Sequence, residues 1–114
     1  MKRVIIDGHV FEDVDFNDGM HSLKMDDKFY AYVSVPSGEG WSESDVNGNV
    51  FGGWVADDVN VMMDYAVSLL HPDSNFGYGF NEETVKECYT DEYANLILDF
   101  LGKIKDPGFV QITN

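Results

Sequence analysis

Carboxylates are the only side chains in this sequence numerous and grouped enough to carry chemistry. Nine of them, Glu39, Glu43, Asp45, Asp57, Asp58, Asp64, Asp73, Glu82 and Glu83, fall between Phe29 and Val85, and no lysine or arginine interrupts that stretch. Carboxylates can move protons, hold hard cations or face a basic surface, and their spacing discriminates among these. Asp13-x-Asp15-x-Asn17 has the alternating oxygens that open a calcium loop. Such a loop also needs glycine at its sixth position and a bidentate acid at its twelfth. Asp18 and Lys24 stand there instead, with Gly19 one residue late. His9, His21, His71 and Cys88 follow no zinc spacing. Gly38-Glu39-Gly40 and Gly77-Tyr78-Gly79 lack the lysine and the pattern of phosphate loops. No nucleophile–histidine–acid set is singled out, and with 21 acids present no pair is selected for glycosidic chemistry. The expectation is a protein that is not an enzyme and uses no cofactor and no metal.

What remains is recognition of positive charge. Glu39, Glu43, Asp45, Asp57, Asp58 and Asp64 are the first candidates for partner binding. Glu83, Glu87 and Asp91 come second. Their i, i+4, i+8 spacing puts three carboxylates in one helical row, about 6 Å apart along the axis, comparable to successive phosphates on a nucleic-acid strand. Like charges at that spacing mildly destabilise a helix, so helix stability does not explain the row. A solvated helix face is its plainer reading. Trp41, Phe76 and Tyr78 are candidate aromatic anchors, with core plugs as the alternative, because neighbouring glycines let the backbone turn the rings inward. Asp57 or Asp58 also suits a helix cap.

The elements that must position these residues follow from local pattern. Arg3–Ile6 and residues 9–16 form a hairpin about Asp7-Gly8, a strong two-residue turn signal. Asn17-Asp18-Gly19 ends it. Lys28–Val35 is apolar on both faces and belongs in the middle of a sheet. Residues 36–44 are rich in glycine and serine and read as a loop. A second hairpin about Asn47-Gly48 joins residues 41–46 to residues 49–56, with Gly52-Gly53 marking a bulge. Val59, Met62, Met63, Ala66, Val67 and Leu70 recur at helical spacing, and Pro72 stops that helix. Residues 71–80 read as a loop. Asn81 caps a long second helix with an apolar stripe of Val85, Cys88, Tyr89, Tyr93, Leu96, Ile97, Phe100, Leu101 and Ile104. That stripe makes Cys88 a buried small hydrophobe, and Thr90-Asp91-Glu92 is a cap that could split the helix. Residues 109–113 form a last strand after Pro107-Gly108. The sum is an α+β fold, a mostly antiparallel sheet of about five strands (two hairpins and a C-terminal strand) packed against two helices on one face, in a single domain spanning residues 1–114.

Composition bounds the rest. A net charge of −14 exceeds what solubility requires, while 14% aromatic residues argue against disorder. One cysteine suits a reducing compartment. The basic start has too few apolar residues for a signal-peptide core, and no apolar run reaches membrane-spanning length. A cytoplasmic protein of a bacterial host cell is expected.

A small, acidic, single-domain α+β protein with no catalytic set resembles, as a class, phage-encoded anti-CRISPR and antirestriction proteins, several of which act as DNA mimics or occlude a DNA groove. The likeness is one of composition and assigns no individual residue. It implies an inhibitor working by protein–protein interaction on a basic nucleic-acid-binding protein: a CRISPR effector, a restriction enzyme or a nuclease toxin. Direct contact with nucleic acid or an anionic membrane is disfavoured by charge, and the oligomeric state is left open. An immunity or antitoxin protein against a basic nuclease is the alternative. Residues 28–33, followed by Gly53-Trp54-Val55 and a helix, loosely resemble the strand–strand–helix of HicB-type antitoxins, with different spacing and without their motif. An acidic housekeeping protein adapted to high salt is a third reading, suited by scarce lysine.

Overall fold

The computed structural model describes residues 2–14, 22–36, 38–54, 57–72 and 78–113, except for the side chains of Val35 and Asp57. Of the residues singled out above, Asp15, Asn17, Asp18, Gly19, His21, Asp73, Phe76 and Gly77 lie outside the described residues, as do the ends of the expected strands at residues 15–16 and 55–56.

The chain forms β1 (Arg3–Ile6), β2 (His9–Asp13), β3 (Ser22–Met25), β4 (Lys28–Val35), β5 (Gly38–Ser44), β6 (Val50–Trp54), α1 (Asp57–Leu70), α2 (Val85–Cys88), α3 (Asp91–Lys103) and β7 (Val110–Thr113). The strands make one seven-stranded sheet in the order β6-β5-β4-β3-β2-β1-β7, and each neighbouring pair is antiparallel. The α+β class is as the pattern predicts. The sheet has more strands than expected, and the helical layer has a third element.

The hairpins explain the order. Asp7 (φ 50°) and Gly8 (φ 82°) both occupy the left-handed region that a tight two-residue turn demands. Asp26 (φ 51°) and Asp27 (φ 68°) do the same between β3 and β4, with no glycine to announce the turn. Asp26 is held there by its side chain. Its Oδ1 accepts the Val10 N–H at 2.9 Å, and its Oδ2 lies 2.6 Å from His9 Nδ1. Partial burial pushes the Asp26 carboxyl upward, but the hydrogen bonds from His9 and Val10 and the His9 charge outweigh it and leave the pKa lowered. β3 is short, with only Leu23 and Met25 as its apolar inward pair, which is why periodicity does not reveal it.

Within the stretch expected to be a loop, residues 38–44 are a strand. β5 pairs with β4 along its length, from Phe29↔Ser44 to Val35↔Gly38. Its small residues are there for packing. A Cβ on Gly38 would stand 2.7 Å from Trp54 Cη2, and one on Gly40 would stand 3.1 Å from Trp54 Cδ2 and 3.0 Å from Asn60 Oδ1. Ser42, opposite Trp54, is fully buried, and its hydroxyl donates to the Gly53 carbonyl at 3.0 Å. The expected bulge is present. Two steps along β5, Ser42 to Ser44, match four along β6, Trp54 to Val50, and Gly52 takes φ 91°.

Alternate residues of the sheet, Val4, Ile6, Phe11, Leu23, Met25, Tyr30 and Trp41, form one buried face with Val61, Met63, Ala66 and Val67 of α1 and Ala94, Ile97 and Phe100 of α3. Each fully buried large side chain contributes about 1.5–3 kcal/mol. Lys2 Nζ donates to the Leu69 carbonyl at 2.8 Å, satisfying one orphan acceptor at the end of α1.

The long second helix is broken. Asn81 Oδ1 accepts from the Glu83 and Thr84 N–H groups at 3.1 and 2.9 Å, capping a turn that leads into α2. Tyr89 and Thr90 are then extended, and the Thr90 hydroxyl accepts the Tyr93 N–H to start α3. Glu83, Glu87 and Asp91 therefore share no single helix, and the evenly spaced carboxylate row does not exist. Cys88 is exposed rather than buried, because the break turns it away from the stripe continued by α3.

Candidate functional site

The break between α2 and α3 opens a cleft against the start of β5. The cleft has a volume of about 540 Å³ and is built from Tyr32 of β4, Glu39 of β5, Trp54 of β6, Asn60 and Asp64 of α1, and Tyr89, Glu92 and Tyr93 around the break. Among the described residues, its lining contains three carboxylates and no lysine, arginine or histidine.

Asp64 is its deepest charged group. The Trp41 indole Nε1–H donates to Asp64 Oδ1 at 2.9 Å, and the Tyr93 hydroxyl donates to Oδ2 at 2.9 Å. Burial pushes the Asp64 carboxyl up to about 6, the donors Trp41 and Tyr93 pull it back, and the Glu39 charge adds to the rise. Asn60, one turn earlier on α1, has its Oδ1 accepting the Trp41 backbone N–H at 2.8 Å, where β6 no longer pairs with β5. Both N–H groups of a fully buried tryptophan thus end on one face of α1.

The tyrosines respond to the same field. Burial, Asp64 and Glu39 raise the Tyr32 hydroxyl far above its ordinary value, and Tyr32 also hydrogen-bonds Glu39. Burial and the neighbouring Asp64 likewise raise Tyr93, and burial with Asp64 pushes Tyr89 up to about 12. The Tyr89 hydroxyl donates to the Tyr78 carbonyl at 2.6 Å, tying the described segment before α2 to the cleft wall. Tyr32 meets Trp41 edge-on at 5.2 Å between centroids, and Tyr89 meets Tyr93 at 5.5 Å. Aromatic walls beside several carboxylates are suited to receiving a cation.

The expected site residues are distributed unequally. Glu39 and Asp64 line the cleft. Trp41 has no accessible surface, so it supports the site from within and presents no contact surface of its own. Glu43 is half-buried beside Tyr30. Asp45 is occupied locally. Its carboxylate accepts from the Asn47 and Asn49 N–H groups and from Asn49 Nδ2, at 2.8, 2.9 and 3.1 Å, and these bonds lower its pKa. Asp58 is exposed at the start of α1, where its Oδ1 accepts the Val59 N–H. Glu83, Glu87 and Asp91 are exposed near the α2–α3 break, with Lys86 among them on α2. Tyr78 is 77% exposed. The Asp57 side chain and Phe76 lie outside the described residues.

Tyr32, Trp54, Asn60, Tyr89, Glu92 and Tyr93 were not anticipated as site residues. One signal pointed to part of the set: Asn60 and Asp64 are a polar i, i+4 pair inside the apolar stretch of α1. Among the described residues, no three His, Cys, Asp or Glu side chains converge as a metal site, and no helix is long and apolar enough to cross a membrane. Compared with protein-family models, curated proteins and solved structures, the chain matches none significantly.

Proposed function

We propose that this protein is a small acidic inhibitor that binds a basic nucleic-acid-binding protein and occludes its nucleic-acid site. One observation carries the reading: Glu39, Asp64 and Glu92, distant in sequence, line one cleft to which the described residues contribute no lysine, arginine or histidine. Among the described residues, the lysine and arginine ion pairs fall on other acids, Arg3 with Glu12, Lys24 with Asp27, Lys103 with Asp99 and Lys105 with Glu82. The cleft carboxylates take hydrogen bonds from Trp41, Tyr93 and Tyr32, but none of these ion pairs neutralises them. With the helical row lost, support comes from the cleft and its rim rather than from an imitation of phosphate spacing. The partner is a CRISPR effector, restriction enzyme or nuclease toxin, met in the bacterial cytoplasm.

Carboxylates pairing with a lysine- and arginine-lined groove release the ions that the groove holds, so binding weakens steeply with salt. Affinity purification from a bacterial lysate with a salt-gradient elution tests this. Basic DNA- or RNA-binding proteins should be retained at low salt and lost when Glu39, Glu43 and Asp58 are together changed to lysine. Retention of acidic and basic proteins alike, or capture that ignores the triple change, overturns the proposal.

A further inference from the structure

We infer that the cleft between β5 and the α2–α3 break is a receptor for a single guanidinium group, an arginine side chain presented by the basic partner. The inference rests on the proposed function for the source of that arginine, but its chemistry stands on the cleft alone.

The volume of about 540 Å³ is that of a small-ligand pocket and suits the end of one side chain better than a helix or strand. The walls combine two features that guanidinium uses together. Aromatic faces stack on its plane, and carboxylates meet its rim of N–H donors. Trp54 supplies an accessible face, 39% exposed. Its indole is seated against β5 because Gly38 and Gly40 carry no side chain, and a Cβ on either would intrude to 2.7 or 3.1 Å. Tyr32, Tyr89 and Tyr93 line the same space. Trp41 and Tyr93 each donate to a different oxygen of Asp64, and a carboxylate oxygen has a second lone pair to offer. Glu39 stands exposed at the mouth.

The grouping of charges in the cleft is also electrostatically unfavourable. Asp64 and Glu39 repel one another, Glu92 adds a third carboxylate, and Tyr32, Tyr89 and Tyr93 supply only neutral hydroxyls. A permanently charged, weakly hydrated planar cation relieves that repulsion and loses less hydration than an ammonium would. Arginine is therefore favoured over lysine.

The test is NMR titration of the full chain with Nα-acetylarginine amide at constant ionic strength, following the indole N–H signals of the two tryptophans. Both should shift and saturate, whereas the neutral isostere Nα-acetylcitrulline amide should leave them in place. Glu39→Gln and Trp54→Ala, both at accessible positions, should each weaken binding about threefold or more, and Asp106→Asn, exposed and outside the cleft, should not. Equal response to citrulline, a linear unsaturated response, indifference to both cleft variants, or binding no tighter than that of Nα-acetyllysine amide overturns the guanidinium site. The two proposals fail separately. Saturable arginine binding without capture of basic proteins sinks the inhibitor reading and keeps the site. Salt-sensitive capture without arginine binding does the reverse.

Discussion

The indole of Trp41 and the carboxylate of Asp64 are joined by a 2.9 Å hydrogen bond across 23 positions of sequence, and that bond fastens β5 to α1 at the floor of the cleft. A buried tryptophan needs a partner for its single donor, and Asp64 provides it. Trp41→Phe keeps most of the apolar volume and removes that donor. It should cost about 1–3 kcal/mol in urea-induced unfolding. An unchanged midpoint would mean that the bond is structurally idle.

Asp64 also sets a pH dependence whose sign is opposite to the usual carboxylate case. Its folded pKa, about 6, lies above the ordinary aspartate value of 3.8. Between these values the folded state holds more protons than the unfolded state, so this group's contribution to stability falls as pH rises from about 4 to about 6. Asp64→Asn removes the titration. The stability of the variant relative to the parent should rise by about 2–3 kcal/mol across that window, measured by urea unfolding at several pH values. A constant difference would contradict the desolvation of Asp64.

The β3–β4 turn places two aspartates in left-handed backbone, and only one has a compensating role. Asp26 bonds Val10 and His9. Asp27, at φ 68°, has a 91% exposed side chain and a 3.5 Å ion pair with Lys24, an interaction that contributes little at a surface. Asp27→Gly should therefore stabilise the protein by about 0.5–1 kcal/mol, raising its melting temperature. A loss of stability would show that the Lys24 pair outweighs the backbone strain.

Gly38 faces two demands, a φ of +143° and an indole where a side chain would go. Gly38→Ala should destabilise by about 1–3 kcal/mol and displace Trp54, read as a change in tryptophan fluorescence and in solvent quenching. Unaltered quenching would mean that Trp54 does not rest on β5 in solution.

Much of the local structure was legible. Asp7-Gly8 announces its turn because the left-handed backbone favours those residue types. α1 and α3 announce themselves through apolar spacing, and Pro72 and Thr90 mark breaks. Two failures had one cause, the reading of composition without neighbours. Glycine and serine in β5 resembled loop residues, yet they are small because Trp54 and Asn60 approach them. Asp26-Asp27 lacked glycine and concealed a hairpin that side-chain hydrogen bonds hold together.

The sign of the protein's field follows from its residue counts, and the Asp7-Gly8 hairpin and the apolar faces of α1 and α3 follow from patterns within a few positions. The cleft does not. Glu39, Asp64 and Glu92 meet because α1 packs against β5 and because the chain between α2 and α3 is extended for two residues. Which acids are spent on a turn, as Asp45 is, and which face an aromatic pocket, as Asp64 does, depends on long-range packing. Coulombic and desolvation effects act over distances in space, and linear spacing carries no record of those distances until the chain has folded.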